Sequence, residues 1–109
     1  MALTKIYGAN VNVPNGTAWT TVVTVAPVRV LTAVFQINAL AVGTTVDARW
    51  VGVVEGGGEV VLWSGSTTVA AGGAGLVTAP VPIPSVSGRL EIRHSVGSAQ
   101  SIFAEVFKV

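Results

Sequence analysis

The chain has 109 residues, of which 50% are hydrophobic and only 10% are charged, and its formal net charge is +1. This length suits one domain, and we expect residues 1–109 to form a single all-β domain. The basic residues are scattered singly, so the sequence lacks the Lys/Arg cluster that is typical of nucleic-acid binding. The absence of cysteine excludes disulfides, thiolate metal sites and thiol nucleophiles.

The low charge content indicates how the surface is covered. An average soluble domain has about 25% charged residues, so here either small polar residues cover the surface or apolar surface is buried against a partner. The N-terminal residues lack the pattern of a signal peptide. The longest apolar stretch, residues 28–42, is interrupted by Arg29, Gln36 and Asn38, which makes it too polar and too short to span a bilayer. We therefore expect no contact with a membrane.

Short strands are predicted from the N-terminus onward, because Val and Thr dominate and favour extended backbone. The first is predicted over residues 3–7 and the next over residues 17–25. In the second of these strands, alternation places Trp19 on the face that we expect to contact the core.

Residues 28–42 form the longest predicted strand. One face of this strand is wholly apolar and is predicted to face the core: Leu31, Ala33, Phe35, Ile37 and Ala39. The other face is mixed and includes Val34, which suggests partial burial or contact with a partner.

Residues 46–64 contain the clearest hairpin, because Gly56 and Gly57 supply the positive φ angles that a tight turn needs. If these two glycines occupy the centre of the turn, Trp50 lies opposite Trp63 on the neighbouring strand. A cross-strand aromatic pair of this kind contributes about 0.5–1 kcal/mol to stability. The pairing is a prediction of strand register.

A segment of alternating prolines follows: Pro80, Val81, Pro82, Ile83 and Pro84. Proline cannot donate to the hydrogen-bond ladder of a central strand, so this segment is predicted to be an edge or a polyproline-like connector. We regard it chiefly as a rigid crossover between strands. Its uncovered apolar side chains also make it a candidate docking arm.

The two strands predicted within residues 89–109 alternate apolar and polar side chains. The apolar faces are predicted to be Leu90, Ile92, His94 and Val96 in the first and Ile102, Ala104 and Val106 in the second. Arg89, Glu91 and Arg93 are predicted to point outward, as are Asp47 and Arg49 on the earlier hairpin. We predict that these strands pair with each other and place Arg93 opposite Glu105, provided that a bulge or an odd loop length matches their apolar faces. Phe103 and Phe107 then point outward, where a monomer does not readily bury them. They are therefore candidate interface residues.

The strand count is seven to nine, and turn signals separate the strands without a helical pattern. This arrangement predicts an antiparallel β-sandwich that resembles a jelly roll.

Residues that could perform catalysis are few, and we predict no enzyme activity. His94 alternates with Ile92 and Val96 on an apolar face, and no second metal ligand lies at a useful spacing, so we expect a core histidine. Glu55 and Glu59 flank the glycine turn, but two carboxylates alone make neither a calcium site nor a glycosidase site. They are interpreted as solvated hairpin ends, and no metal or cofactor is predicted.

The tryptophans allow a second interpretation. Large aromatic residues are mostly buried, so we expect Trp19, Trp50 and Trp63 to pack in the core. Alternatively, Trp19 or Trp63 is exposed and forms a platform on which a sugar stacks.

A short, cysteine-free β-domain that is rich in Val, Ala, Gly and Thr and poor in charge resembles the decoration or cement proteins of tailed bacteriophage capsids. The resemblance covers the whole chain in composition and strand rhythm and includes no diagnostic motif. It implies a structural protein of the virion that is assembled in the host cytoplasm, binds the major capsid protein and forms a homo-oligomer, with a trimer favoured.

Within this hypothesis the candidate interface consists of apolar residues that a monomer leaves uncovered: Val34, Pro80, Val81, Pro82, Ile83, Pro84, Phe103 and Phe107. The alternative hypothesis is a carbohydrate- or receptor-binding module, such as a phage spike or fibre head, that uses Trp19 or Trp63.

Overall fold

The computed structural model describes residues 4–14, 18–27, 31–37, 40–70, 75–78, 81–83 and 86–108. Within these ranges the regular elements are all β-strands, as the composition predicts. The strands are β1 (Thr4–Val13), β2 (Thr20–Val25), β3 (Leu31–Gln36), β4 (Thr45–Val53), β5 (Glu59–Thr68), β6 (Gly75–Val77), β7 (Ser87–His94) and β8 (Gln100–Lys108).

The strands form two antiparallel sheets of four strands each. The first sheet has the order β1-β8-β3-β6 and the second has the order β2-β7-β4-β5. The pairing is nested along the chain, because β1 pairs with β8, β2 with β7, β3 with β6 and β4 with β5. Except at the β4–β5 hairpin, consecutive strands belong to different sheets.

The buried side chains of both sheets form one hydrophobic cluster. Every second residue of β3, β4, β7 and β8 contributes to it, as period-two alternation requires. The predicted core faces of the strands that became β3, β7 and β8 are confirmed with two exceptions: Ala39 lies outside the described residues, and Val96 is only partly buried. Full burial of one such aliphatic side chain contributes about 1.5–3 kcal/mol, so this cluster is the main source of stability.

A hydrogen bond joins the two sheets inside the core. Thr78 follows β6 in the first sheet and is 1% exposed. Its Oγ1 accepts a hydrogen bond from Nε1 of Trp50 on β4 of the second sheet, at 3.1 Å. The same oxygen accepts the backbone N–H of Ala33 on β3 at 2.9 Å. One hydroxyl therefore satisfies two buried donors from different sheets.

The β4–β5 hairpin confirms that Trp50 lies opposite Trp63, although the turn differs from the one predicted. Gly56 and Gly57 have φ angles of 88° and 83°, but the pairing of Val53 with Glu59 centres the turn on Gly56 alone. A bulge between Trp50 and Val51 then shifts the register and brings the two indoles opposite each other. Bulges bend a strand and change its register in this way.

The predicted hairpin between the last two strands is wrong. β7 lies in the second sheet and β8 lies in the first, so the two strands do not pair. Arg93 is bound to Asp47 at 2.8 Å, and Glu105 lies 3.5 Å from Lys5. The chain crosses from one sheet to the other between β7 and β8, a step that alternation within each strand does not specify.

Two residues of the proline segment, Val81 and Ile83, are not available for docking. Both are buried, which corrects their assignment as uncovered interface residues. Val81 exchanges both backbone hydrogen bonds with Leu31, at 2.9 and 3.0 Å. Ile83 packs against Gly88, where a Cβ atom would lie only 2.6 Å from Cδ1 of the isoleucine. Pro82 is exposed.

Pro80 and Pro84, the two remaining prolines of this segment, lie outside the described residues.

His94 is a core residue, as predicted, and it joins β7 to the end of β1. Its Nδ1 accepts the backbone N–H of Val96 at 3.1 Å. Because a nitrogen that accepts a hydrogen bond carries no proton, Nε2 carries the proton and donates it to the Val13 carbonyl at 3.0 Å. Both nitrogens of the buried imidazole are therefore satisfied.

The substitution Thr78→Val tests the link between the sheets. It keeps the shape of the side chain but leaves two buried N–H donors without an acceptor, each of which costs about 1–3 kcal/mol. We expect the free energy of unfolding in urea to fall by at least about 2 kcal/mol. Thr24→Val, on the exposed part of β2, is the control and should change stability by less than about 0.5 kcal/mol. Equal effects of the two substitutions would contradict the role of Thr78.

The substitution Gly88→Ala tests the burial of the proline segment. The added methyl group forces Ile83 out of its position, and overpacking of this kind costs about 1–3 kcal/mol. Gly97→Ala is the matched control, because a Cβ atom at that exposed glycine would meet nothing within 4 Å. Thermal unfolding of the two variants should separate them. An unchanged Tm for Gly88→Ala would show that Ile83 does not pack on β7.

Candidate binding surfaces

The outer face of the first sheet carries partly exposed apolar side chains. Val34 on β3 and Phe103 and Phe107 on β8 all lie on this face and are only partly buried. We call the surface that these three residues form the aromatic face, after its two phenylalanines. Of the predicted interface residues, these three are brought together by the structure.

Polar residues surround and divide the aromatic face. Glu105 lies between the two phenylalanines along β8, opposite Val34, and it pairs with Lys5 on β1 at 3.5 Å. Phe103 is flanked by exposed Asn10 and Gln36. The aromatic rings therefore stand on a face whose remaining neighbours are largely hydrophilic.

The outer face of the second sheet carries a ladder of ion pairs. Arg49 on β4 binds Glu91 on β7 at 2.6 Å, and Arg89 binds the other oxygen of Glu91 at 3.1 Å. Arg89 also pairs with Glu59 on β5. Sequence reasoning placed these charges outward correctly but interpreted Glu59 as a solvated hairpin end, whereas it belongs to this ladder.

Glu91 is the most buried member of the ladder, with its side chain only 8% exposed. A carboxylate at this depth requires compensation for lost hydration. Here Arg49 and Arg89 supply it, one to each carboxylate oxygen. The guanidinium groups of Arg49 and Arg89 consequently cover the carboxylate of Glu91, and the two arginines face the solvent.

The ion pairs on this face shift the pKa values of Asp47, Glu59 and Arg89. Partial burial alone would raise the pKa of Asp47, but hydrogen bonds from Ser66 and Arg93 and the charge of Arg93 hold it below its ordinary value. The hydrogen bond from Arg89 lowers the pKa of Glu59, and the same contact raises the pKa of Arg89. These carboxylates are therefore held in the ionised form.

Trp19 lies on this outer face and not in the core, which corrects the prediction for this residue. It precedes β2, and its ring centroid lies 4.3 Å from the guanidinium carbon of Arg49 and 4.3 Å from that of Arg93. Trp50 is fully buried, as predicted. Trp63 is partly buried against the core.

A shallow depression of about 510 Å³ opens beside Trp19. Its lining comes from β4, β5, β7 and the residue before β2: Trp19, Asp47, Ala48, Arg49, Val61, Ser64, Gly65, Ser66 and Arg93. Trp63 is not among these residues, because its indole covers Gly65 from the side of the core, so the two alternative ligand-binding tryptophans do not share a site.

Sequence reasoning missed this cluster, although the alternation of Asp47 and Arg49 and of Arg89, Glu91 and Arg93 was visible. The missing information was that β7 lies between β2 and β4. That order brings Trp19 beside the two arginines.

The described residues contain no group of three or more His, Cys, Asp or Glu side chains that could hold a metal ion. They also contain no helix with the length and apolar character needed to cross a membrane. Comparison with models of protein families, with curated proteins and with solved structures found no match to this chain.

The ion pair of Asp47 predicts acid sensitivity. Because its pKa in the folded state lies below the ordinary value of 3.8, its stabilising effect is complete above that pH and is lost as the pH falls through the lowered pKa. We expect Asp47→Asn to flatten the dependence of the unfolding free energy on pH below about pH 4. Ser66→Ala should flatten this pH dependence in part, since the substitution removes one of the hydrogen bonds that lower the pKa of Asp47. Urea titrations between pH 2 and 7 measure this, and a profile unchanged by Asp47→Asn would contradict it.

Proposed function

We propose that the two sheets are the layers of a jelly-roll β-sandwich. The support is the nested pairing of the eight described strands, which gives the orders β1-β8-β3-β6 and β2-β7-β4-β5. A jelly roll consists of eight strands in two sheets with Greek-key connections, and it occurs in viral capsid proteins and in lectins.

On this fold we propose a structural function in a virion, as a capsid decoration or cement protein that self-associates and binds the major capsid protein. The observation that carries the proposal is the aromatic face. Phe103, Phe107 and Val34 lie on the outer side of a sheet whose inner side already supplies the core. Partly exposed aromatic side chains on one outer face, among polar neighbours, are typical of protein interfaces.

The composition of this face favours a specific interface over an unspecific apolar one. Glu105 lies between the two phenylalanines along β8, and its partner Lys5 lies opposite Phe107 on β1. Charges placed beside aromatic contacts in this way fix the register and orientation of a partner. Pro82 is exposed and remains a candidate contact residue. We further propose a trimer, located in the virion and assembled in the host cytoplasm.

The experiment is size-exclusion chromatography with light scattering on the wild type and on the double variant Phe103→Ser/Phe107→Ser. Phenylalanine anchors at the centre of an interface commonly contribute about 2 kcal/mol or more each. We expect the wild type to elute as an oligomer, with a trimer mass, and the double variant to elute as a monomer at micromolar concentration.

The control is Val60→Ser/Val61→Ser, which removes two exposed valines from β5 in the other sheet. This control should keep the wild-type mass. A monomeric wild type, or a double variant that remains oligomeric, would contradict self-association through the aromatic face.

Binding to the capsid is tested by sedimentation of the protein with shells assembled from the major capsid protein that the proposal requires in the same genome. We expect saturable binding that the Phe103→Ser/Phe107→Ser variant loses. If the wild type is monomeric and does not sediment with the shells, the proposed function is wrong.

A further inference from the structure

β5 forms one edge of the second sheet, and among the described strands it pairs with β4 alone. A strand at the edge of a sheet leaves N–H and C=O groups unpaired, and these groups can bind a further strand. We infer that β5 is a contact site for a second copy of this chain, in which two β5 strands pair antiparallel about a two-fold axis at Gly65. The inference does not depend on the proposed virion function, because the aromatic face lies on the other sheet.

The other three edge strands carry features that oppose such pairing. β6 has only 3 residues, and β2 has 6 with a bulge between Thr21 and Val23. β1 has a bulge between Lys5 and Tyr7 and carries the lysine itself. Short strands, bulges and lysine side chains protect edges from further pairing. β5 has 10 residues and contains neither lysine nor proline.

The part of β5 that is regular enough to accept another strand is residues 63–68. The bulge in the hairpin falls between Val61 and Trp63, and from Trp63 to Thr68 the pairing with β4 continues without a register shift. Every residue of this stretch is uncharged, and all except Trp63 have small side chains. A second main chain can therefore approach it closely.

The sequence of this stretch is symmetric about Gly65, because Ser64 and Ser66 flank the glycine on both sides. Directly opposed residues of an antiparallel pair share one face of the sheet, so the axis has to pass at one residue and its copy. With the axis at Gly65, Ser64 lies opposite Ser66 of the second copy, and Trp63 lies opposite Thr67. An edge that opposes like residues in this way is self-complementary, as a two-fold interface requires.

The opposed serines have compatible hydrogen-bonding roles. Ser66 already donates its hydroxyl proton to Asp47, but a hydroxyl oxygen also has two acceptor positions. The hydroxyl of Ser64 in the second copy can donate to this oxygen. Hydroxyl pairs of this kind stabilise neighbouring strands.

Trp63 gains a contact in the same arrangement. Its indole lies over Gly65 of its own strand, where a Cβ atom would be only 2.5 Å from the ring, and the side chain is only partly buried. Thr67 of the second copy then lies beside the indole. Pairs of an aromatic and a β-branched residue on opposed strands are favourable.

The charge on β5 favours a second copy in the antiparallel direction. Glu59 is the single charged residue of the strand, and it is paired with Arg89. Antiparallel pairing about Gly65 places the two Glu59 residues at opposite ends of the contact, about 40 Å apart at roughly 3.4 Å per residue. This distance exceeds the screening length at physiological salt, so the two carboxylates do not repel each other.

The contact is small, since it consists of a few main-chain hydrogen bonds and short side chains. Interfaces of this size are weak and transient, and we expect a dissociation constant of roughly 0.1–1 mM. The contact is therefore absent at the micromolar concentrations at which self-association through the aromatic face is tested. Val60 and Val61 lie outside the stretch that pairs.

Disulfide cross-linking tests the contact and its register, because the chain contains no cysteine of its own. Ser64→Cys and Ser66→Cys, both at exposed positions, are mixed in equal amounts at about 0.5 mM and oxidised. We expect most of the covalent dimer to join position 64 of one copy to position 66 of the other, as determined by mass spectrometry of the linked peptides. Thr24→Cys, at an exposed position on the opposite edge strand β2, controls for random collisions and should give at least about tenfold less covalent dimer.

Sedimentation equilibrium tests the same contact without a covalent bond. The Phe103→Ser/Phe107→Ser variant lacks the proposed aromatic interface, so we expect it to be a monomer at about 10 µM and to form dimers as its concentration rises to about 1 mM. Adding Ser64→Glu places two carboxylates near the axis and should weaken this dimer at least about tenfold. The new carboxylate lies opposite Arg49 of its own chain, which is compatible with the fold. Adding Thr24→Glu, opposite Arg89, is the matched control and should leave the dissociation constant unchanged.

Three results would overturn the inference. They are a yield of covalent dimer no higher than that of Thr24→Cys, products that join position 64 to position 64 as often as to position 66, and equal effects of Ser64→Glu and Thr24→Glu on the dimer. The cross-linking variants keep the aromatic face, so their result stands even where the double phenylalanine variant fails to fold. Loss of the trimer with intact cross-linking, or the reverse, separates failure of the virion proposal from failure of this one.

Discussion

Trp50 and Thr78 meet inside the core, and the requirement that both sheets share this core constrains the remaining features of the molecule. The indole N–H of Trp50 in the second sheet needs an acceptor, and the Thr78 hydroxyl at the end of β6 provides it. The same hydroxyl accepts the backbone N–H of Ala33. Because buried donors without partners are costly, this contact fixes the position of the short strand β6 relative to β4.

A shared core leaves each sheet with one outer face, and the two outer faces differ in chemistry. On the second sheet, arginines and carboxylates neutralise one another in a ladder that covers Glu91 and holds Trp19. On the first sheet, Phe103 and Phe107 flank a single ion pair between β1 and β8. The second face is thus organised around paired charges and the first around aromatic side chains, which is why we propose a protein partner for the first.

Period-two alternation was sufficient to predict most of the inner faces of β3, β7 and β8, because these depend on neighbours within one strand. The pairing of Trp50 with Trp63 was predicted from a turn centred on Gly56 and Gly57, whereas in the structure a bulge between Trp50 and Val51 produces it. Alternation was insufficient to assign strands to sheets. β7 and β8 are consecutive and both alternate, so a hairpin was expected, whereas closure around one core separates them. The burial of Val81 and the outward position of Trp19 also depend on which strands are neighbours in each sheet.

The central claim is that the aromatic face is an interface, and fluorine NMR of protein labelled with fluorophenylalanine tests it most directly. The chain has three phenylalanines, and Phe35 is fully buried, so it serves as an internal reference. The account predicts that the resonances of Phe103 and Phe107 shift or broaden as protein concentration rises, while that of Phe35 stays constant. Oligomer formation without any change at Phe103 and Phe107 would contradict it.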